Sequence, residues 1–338
     1  MKLARIAYNG PDGASARLVV VQPEAQRVID LATTERLKLE RQGATHEAAL
    51  RLATALFPAS MTAALSLGEV FLATARRASE DADEEAILAL ADVRFLPPVD
   101  PPLLRDFMAF EQHARNAGKQ MGNSPSEELF RRPVYYKGNP LTFIGHEQEV
   151  PWPSYTNYMD YELELGLVIG KIGSNLTPDE ALEHLLGVTI FNDFSARDIQ
   201  GQEMRGLLGP AKGKDFATGV GPWITTHDEL DLTNLTMVAR INGEEWSRNS
   251  SATITWSIGE LIAYASTGET LWPGELLGTG TVGFGCGLEL GKKLQPGDVI
   301  ELEVEGIGIL RNRIGQPQPR RWEPQPRASL IQEDSPER

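Results

Sequence analysis

Cysteine is nearly absent. Cys286 is the single thiol in 338 residues, so an internal disulfide or a thiolate metal cage is excluded, in agreement with a reducing compartment. Any metal must be held by oxygen or imidazole. Positive charge is scarce too: 32 Lys and Arg stand against 47 Asp and Glu, a formal net charge of −15. A field of that sign repels nucleic-acid backbones and anionic membrane surfaces. No apolar run approaches the about 20 residues a membrane helix needs. The opening stretch 1–10 also lacks the apolar segment of a secretory signal. A cytoplasmic protein without nucleic-acid or membrane partners is expected. What is present is a globular composition, 41% hydrophobic with 32 glycines besides, which excludes a disordered, collagen-like or coiled-coil chain. The length exceeds what one hydrophobic core usually serves, so two domains are expected.

The first thirty residues read as three short strands around a Gly-Pro-Asp-Gly turn at 10–13, and 45–90 has the Ala/Leu/Glu content and spacing of surface helices. Pro97-Pro98 and Pro101-Pro102 interrupt the chain, because proline lacks an amide hydrogen and restricts its predecessor. This divides the chain into a smaller N-terminal α+β domain (1–100), a main domain (101–315), and a Pro/Gln/Arg-rich tail (316–338) that reads as extended or mobile. Residues 104–119 read as one helix, followed by a polar loop at 121–132. Strands are expected at 158–169, 186–191, 236–242, 299–305 and 308–313, with a hairpin turn at Asn242-Gly243. Thr177-Pro178-Asp179-Glu180 marks a helix start, expected to run to about 186, and 256–266 has helical spacing. The class is α+β, mainly β.

Three acids alternate along the 158–169 segment. Asp160, Glu162 and Glu164 would share one face of a strand, spaced roughly 6.5–7 Å apart. Such neighbours repel unless a cation or proton intervenes; the other reading is the solvated face of an antiparallel sheet. Asp193 directly ends the apolar run 187–191, either as a metal ligand at the rim of the core or as the cap of a helical turn at 195–200. Oxygen-only ligands suit Mg²⁺, Ca²⁺ or Mn²⁺ rather than zinc. Asp106 and His113 lie seven positions apart, two turns and roughly 10 Å on one face if helical throughout. Alternatively Asp106 caps that helix and His113 is an ordinary polar-face histidine.

Taken together, Asp106 with His113, the Glu162-Leu163-Glu164 triplet, the run Asn192 to Gln200, Gly213-Lys214 and Gly278-Thr279-Gly280-Thr281-Val282-Gly283 resemble the fumarylacetoacetate hydrolase family from about Asp106 to Arg313. The resemblance implies a mixed β-sandwich roll, a homodimer, and a divalent cation, Mg²⁺ foremost and Mn²⁺ or Ca²⁺ next. Position by position it implies Asp106, Glu162, Glu164 and Asp193 as metal ligands, His113 as general base and Glu289 as the acid that orients it. Gln200 and Lys214 fall on catalytic and substrate positions; Tyr136, Thr218 and Thr281 fall where the metal, its neighbours or the substrate are touched. Lys212 and Lys214 would attract an anionic substrate, or be solvated loop lysines; Tyr136 would otherwise be a packing residue. Met108 and Gly122 depart from the tyrosine and arginine of fumarylacetoacetase itself, which implies a different substrate pocket.

The implied reaction is metal-dependent hydrolysis of a carbon–carbon bond in a small anionic 3-oxo or 2,4-dioxo acid, fumarylacetoacetate- or acylpyruvate-like, because a cation chelating a 1,3-dicarbonyl stabilises the departing enolate. An imidazole titrating near neutrality can take and return the proton. Isomerisation, dehydration or decarboxylation of a 2-oxo acid would use the same site, and a noncatalytic calcium-binding protein remains the reading outside the enzymes.

Overall fold

The computed structural model describes residues 1–10, 13–120, 122 and 124–327. The centre of the 10–13 turn, Met121 and Asn123 of the polar loop, and residues 328–338 of the tail lie outside the described residues. Among the described residues the strands assemble into a twelve-stranded sheet, a five-stranded sheet and two small ribbons. Lys2–Gly10, Gly13–Gln22 and Arg27–Asp30 pair antiparallel in chain order. They do not form a sheet of their own: Lys2 and Leu3 lie opposite Thr225 and Ile224, so the N-terminal ladder continues into the large sheet. From there the order is Thr218–Thr226, Leu185–Asn192, Leu163–Ile169, Leu276–Gly278, Leu104–Phe107 and Tyr135–Gly138.

Alternation places the two cores. Leu163, Leu165 and Leu167 face the five-stranded sheet and pack with Met237, Ala239, Ile300, Leu302 and Leu310, as in the sheet-on-sheet core of a β-sandwich. Val168 and Phe191 take the other face, in a core with Leu3, Leu18, Phe57, Phe71 and Leu276. Four helices from residues 31–80 cover that face, and three of them are capped by a side chain: Asp30, Thr45 and Ser60 accept the backbone N–H groups of Thr33, Ala48 and Ala63. The central strand is therefore buried on both sides, which excludes the alternative reading of a solvated face.

The Thr177 capping box forms, but its helix ends at Leu182, because the chain enters a buried strand at Leu185. Asn242 and Gly243 both have positive φ (53° and 81°), as a two-residue hairpin turn between Thr236–Ile241 and Glu244–Ser250 requires. The single helix expected over 104–119 is corrected. Leu104–Phe107 is a strand and the helix is Glu111–Gln120. The apolar spacing of 104–110 fits either state, and pairing with Leu276–Gly278 on one side and Tyr135–Gly138 on the other decides for the strand. The 158–169 strand is likewise two pieces, Met159–Asp160 and Leu163–Ile169. No helix among the described residues is long and apolar enough to cross a membrane.

Arg105 anchors the strand that carries Asp106. Its side chain is 1% exposed and pairs with Glu275 and, at 2.9 Å, with Glu269. Breaking a buried pair leaves an uncompensated charge, which typically costs about 3–5 kcal/mol. Because Glu269 remains, we expect Glu275→Gln to lower the unfolding free energy by about 3 kcal/mol, measured by urea denaturation, toward the lower end of that range. A loss below about 1 kcal/mol would mean that Glu269 alone balances the guanidinium.

Candidate active site

The strand order brings the acids together. Leu104–Phe107, Leu276–Gly278 and Leu185–Asn192 end, and Leu163–Ile169 begins, at the same rim of the large sheet. Asp106 stands beside Gly278, where a Cβ would overlap both the Asp106 carboxylate and the Phe191 ring. Asp106, Glu164 and Asp193 each present one oxygen, all within 4.8 Å of one another and all buried. Burial first, and then the neighbouring carboxylates, push the acids of Asp106 and Glu164 well above the ordinary carboxylate range. Asp193 is also raised, chiefly by burial. Glu164 is held by the Gly280 N–H at 2.8 Å and the Thr281 hydroxyl at 3.2 Å, and Asp193 by the Tyr136 hydroxyl at 2.8 Å.

Asp106 Oδ1 and Asp193 Oδ1 are buried without a hydrogen-bond partner. Orphaned carboxylate oxygens in an all-oxygen donor set fit a hard divalent cation, which would remove the like-charge conflict. Asp193 does not cap a helix. The helix that follows is Arg197–Met204, with Ala196 at its cap.

Glu162 stands apart from that trio. Its Oε2 accepts from Lys214 at 2.5 Å, its Oε1 from Arg197 at 2.8 Å, and its N–H donates to Asn192 Oδ1. Burial works to raise its acid, but Arg197, Lys214 and His113 outweigh it and hold it below the ordinary range. Lys214 also touches Asp193 Oδ2 at 2.5 Å and Ser195 Oγ at 2.8 Å. Burial favours neutral lysine, yet Asp193 and Glu162 keep its ammonium above the usual range. Arg197 reaches back to Asp160 at 2.8 Å and to Gln200 at 3.1 Å. Asp160 is saturated by Arg197 and by the N–H groups of Tyr161, Gly287 and Leu288. The expected regular row of acids is thus corrected. The chain breaks its strand at Tyr161–Glu162, and each acid takes a different partner.

His113, 4% exposed, projects from the helix Glu111–Gln120. Its Nδ1 lies 2.7 Å from Glu289 Oε1, and its Nε2 lies 3.7 Å from Glu162 Oε1. Glu289 Oε2 accepts from Asn116 at 2.8 Å and from the Phe284 N–H at 2.9 Å. Its acceptor capacity being engaged, Glu289 orients the imidazole with Nδ1 as donor and Nε2 turned toward the carboxylates. Cys286 lies 3.5 Å from Glu289 Oε1, its thiol pushed well up by burial.

Among the other expected positions, Gln200 meets the site through Arg197 and Thr281 through Glu164. Thr218 is buried at the start of Thr218–Thr226 but forms no hydrogen bond to these carboxylates among the described residues. Lys214 is 4% exposed and Lys212 is exposed, so the two lysines separate. Met108 is 39% exposed and Gly122 is also exposed. Arg197 and Asn116 are not among the expected site residues, and Asp160 is expected only as a member of the acidic row. Arg197 lies inside the most specific sequence run; nothing in the sequence marks Asn116.

Residues 103–315 match the family described as fumarylacetoacetate (FAA) hydrolase, C-terminal. Oxaloacetate tautomerase YisK of Bacillus subtilis (strain 168) is 32% identical over 267 residues, covering 76% of this chain and 87% of that protein. The solved fumarylacetoacetate hydrolase of Exiguobacterium antarcticum aligns with TM-score 0.65 at 26% identity, covering 93% of this chain and 99% of that one. Maleylpyruvate hydrolase from Sphingobium sp. SYK-6 aligns with TM-score 0.67 over 94% of this chain and 100% of that one. At 23% identity that last likeness shows the fold alone.

A ligand that binds only the folded state stabilises it, by about 2.7 kcal/mol at a hundredfold excess over Kd. Mg²⁺ at that excess should raise Tm by several degrees in calorimetry, and Asp193→Asn or Glu164→Gln should cancel the rise. Both variants responding like the parent would remove these carboxylates as the cation site.

Proposed function

This chain belongs to the fumarylacetoacetate hydrolase family, and from that premise we propose a divalent-metal-dependent enzyme that moves a proton at the carbon beside the carbonyl of a small anionic 2-oxo acid. The observation that carries this reading is the buried His113–Glu289 pair at 2.7 Å beside the carboxylate trio. Asp106, Glu164 and Asp193 would hold the cation, with Glu162 as the fourth ligand. Bound there, a divalent cation supplies a Lewis acid to the substrate's carbonyl oxygen.

The protein's own groups do the rest. Glu289 accepts a hydrogen bond from the Nδ1–H and so fixes the tautomer, which leaves His113 Nε2 as the base that lifts a proton from carbon and later returns one. Asn116 and the Phe284 N–H hold Glu289 in turn. Tyr136 and Thr281 orient Asp193 and Glu164. Lys214 and Gln200 are the polar groups at hand for the substrate's carboxylate and carbonyl oxygens. A purely structural calcium site would have no use for a buried, oriented imidazole.

Keto–enol tautomerisation of an oxaloacetate-like acid is the outcome favoured by the 32% identical oxaloacetate tautomerase. The base removes a proton from C3 and one is delivered to the carbonyl oxygen. Hydrolysis of a carbon–carbon bond in a 3-oxo or 2,4-dioxo acid is the second reading. The likeness to the Exiguobacterium hydrolase supports it, and the same base can take its proton from water instead.

Proton NMR in D₂O, with Mg²⁺ or EDTA, on oxaloacetate and a series of acylpyruvates separates the two. We expect metal-dependent acceleration of enol–keto exchange. Cleavage of an acylpyruvate without such acceleration would hand the conclusion to hydrolysis, and neither activity would sink both. His113→Ala should lower kcat by about 10²-fold or more, with Mg²⁺ affinity unchanged by calorimetry. Glu289→Gln should lose less. An alanine variant at the parent rate would make His113 a bystander.

A further inference from the structure

Lys214 is built into the site too firmly for a loop lysine. Its backbone N–H donates to Ala211 O at 2.9 Å, and the Glu203 carboxylate accepts from the N–H groups of Ala211, Lys212 and Gly213. Gly213 packs so closely on the Gln200 backbone that a Cβ would overlap it. The ammonium then has three oxygens around it, Glu162 Oε2, Asp193 Oδ2 and Ser195 Oγ, at 2.5, 2.5 and 2.8 Å. An ammonium has three donors, so this one has none left over.

Two of those oxygens belong to acids assigned above to the cation. Asp193 keeps its other oxygen without a partner and can serve both cations at once. Glu162 cannot do so on the same terms. Its Oε1 is held by Arg197, which is itself tied to Asp160 and Gln200, and its Oε2 is held by Lys214. Neither Glu162 oxygen is unengaged, so a ligand bond from Oε2 would be made in competition with the Lys214 ammonium.

Resting on the metal-dependent reading above, we propose that Lys214 is the resident counter-ion of the cation-free site, balancing Glu162 and Asp193 and competing with the divalent ion for them. The ammonium fills the electrostatic role until the ion arrives and then yields an oxygen to it. The site stays folded without metal, and its affinity for metal is reduced by the same interaction. Once loosened from Glu162, the ammonium has a donor to offer an anionic substrate. Lys214 therefore acts on metal loading as well as on substrate.

The test is calorimetric titration of MgCl₂ into metal-stripped protein, with the Tm of stripped and loaded forms. Lys214→Met removes the charge and the contacts; Lys214→Gln keeps two amide donors without the charge and guards against misfolding. Removing a unit charge this close should tighten Mg²⁺ binding by about tenfold or more in both. The stripped Tm should fall while the loaded Tm stays near the parent's. Lys214→Arg, which keeps the charge, should not tighten binding. Equal or weaker binding in both neutral variants overturns the proposal and makes Lys214 a support for the ligands. Wild-type protein that binds no Mg²⁺ overturns the metal reading, and this proposal with it.

Discussion

Excess buried negative charge governs this structure. Asp106, Asp160, Glu162, Glu164, Asp193 and Glu289 are buried at one rim of the sheet, and the cations among them are Lys214 and Arg197. Carboxylates out of water are tolerated only when paired, hydrogen-bonded or protonated. Pairing and hydrogen bonding both appear. Asp160 is satisfied by three backbone N–H groups and a guanidinium, Glu162 by two side-chain cations, Glu289 by an imidazole, an amide and a backbone N–H. In the Asp106–Glu164–Asp193 trio only Asp193 has a cation beside it, Lys214, so net negative charge is left over there, where a divalent cation would fit.

This division also separates two chemical tasks that lie within a few ångströms. Both Glu289 oxygens have partners of their own, so on the proposed reading Glu289 would position His113 instead of competing as a ligand. Glu162 stands between the two, facing His113 Nε2 at 3.7 Å and Lys214 at 2.5 Å. A change at Glu162 therefore reaches both, and its phenotype will not resolve metal binding from proton transfer as cleanly as changes at Asp193 or His113.

Much of this was readable before any coordinates. Helix starts at Thr45 and Thr177, the Asn242-Gly243 turn and the apolar alternation of 163–169 are local signals, and local signals survive folding. Asp106 does meet Glu164 and Asp193, but from a strand and not from the expected helix, because Leu104–Phe107 owes its extended state to two neighbours distant in sequence. The row Asp160, Glu162 and Glu164 misled for a related reason. Equal spacing suggested equal roles, while the break at Tyr161 turns Asp160 toward Arg197 and the amides at 287–288. Asn116 left no mark at all, since one amide on a helix carries no pattern until Glu289 is brought to it from 173 residues away.

The continuity of the large sheet has a further consequence. Lys2 and Leu3 pair with Thr225 and Ile224 while Phe143–Ile144 pairs at Thr218 and Gly219, so the N-terminal strands cover the Ile224–Thr225 end of the Thr218–Thr226 strand. Stripped of them, it would present unpaired N–H and C=O groups along an apolar, fully buried strand, the kind of bare rim that recruits other chains into non-native pairing. Pairing by the first strand thus covers that end of the sheet against such contacts, a protection separate from the chemistry at the opposite rim.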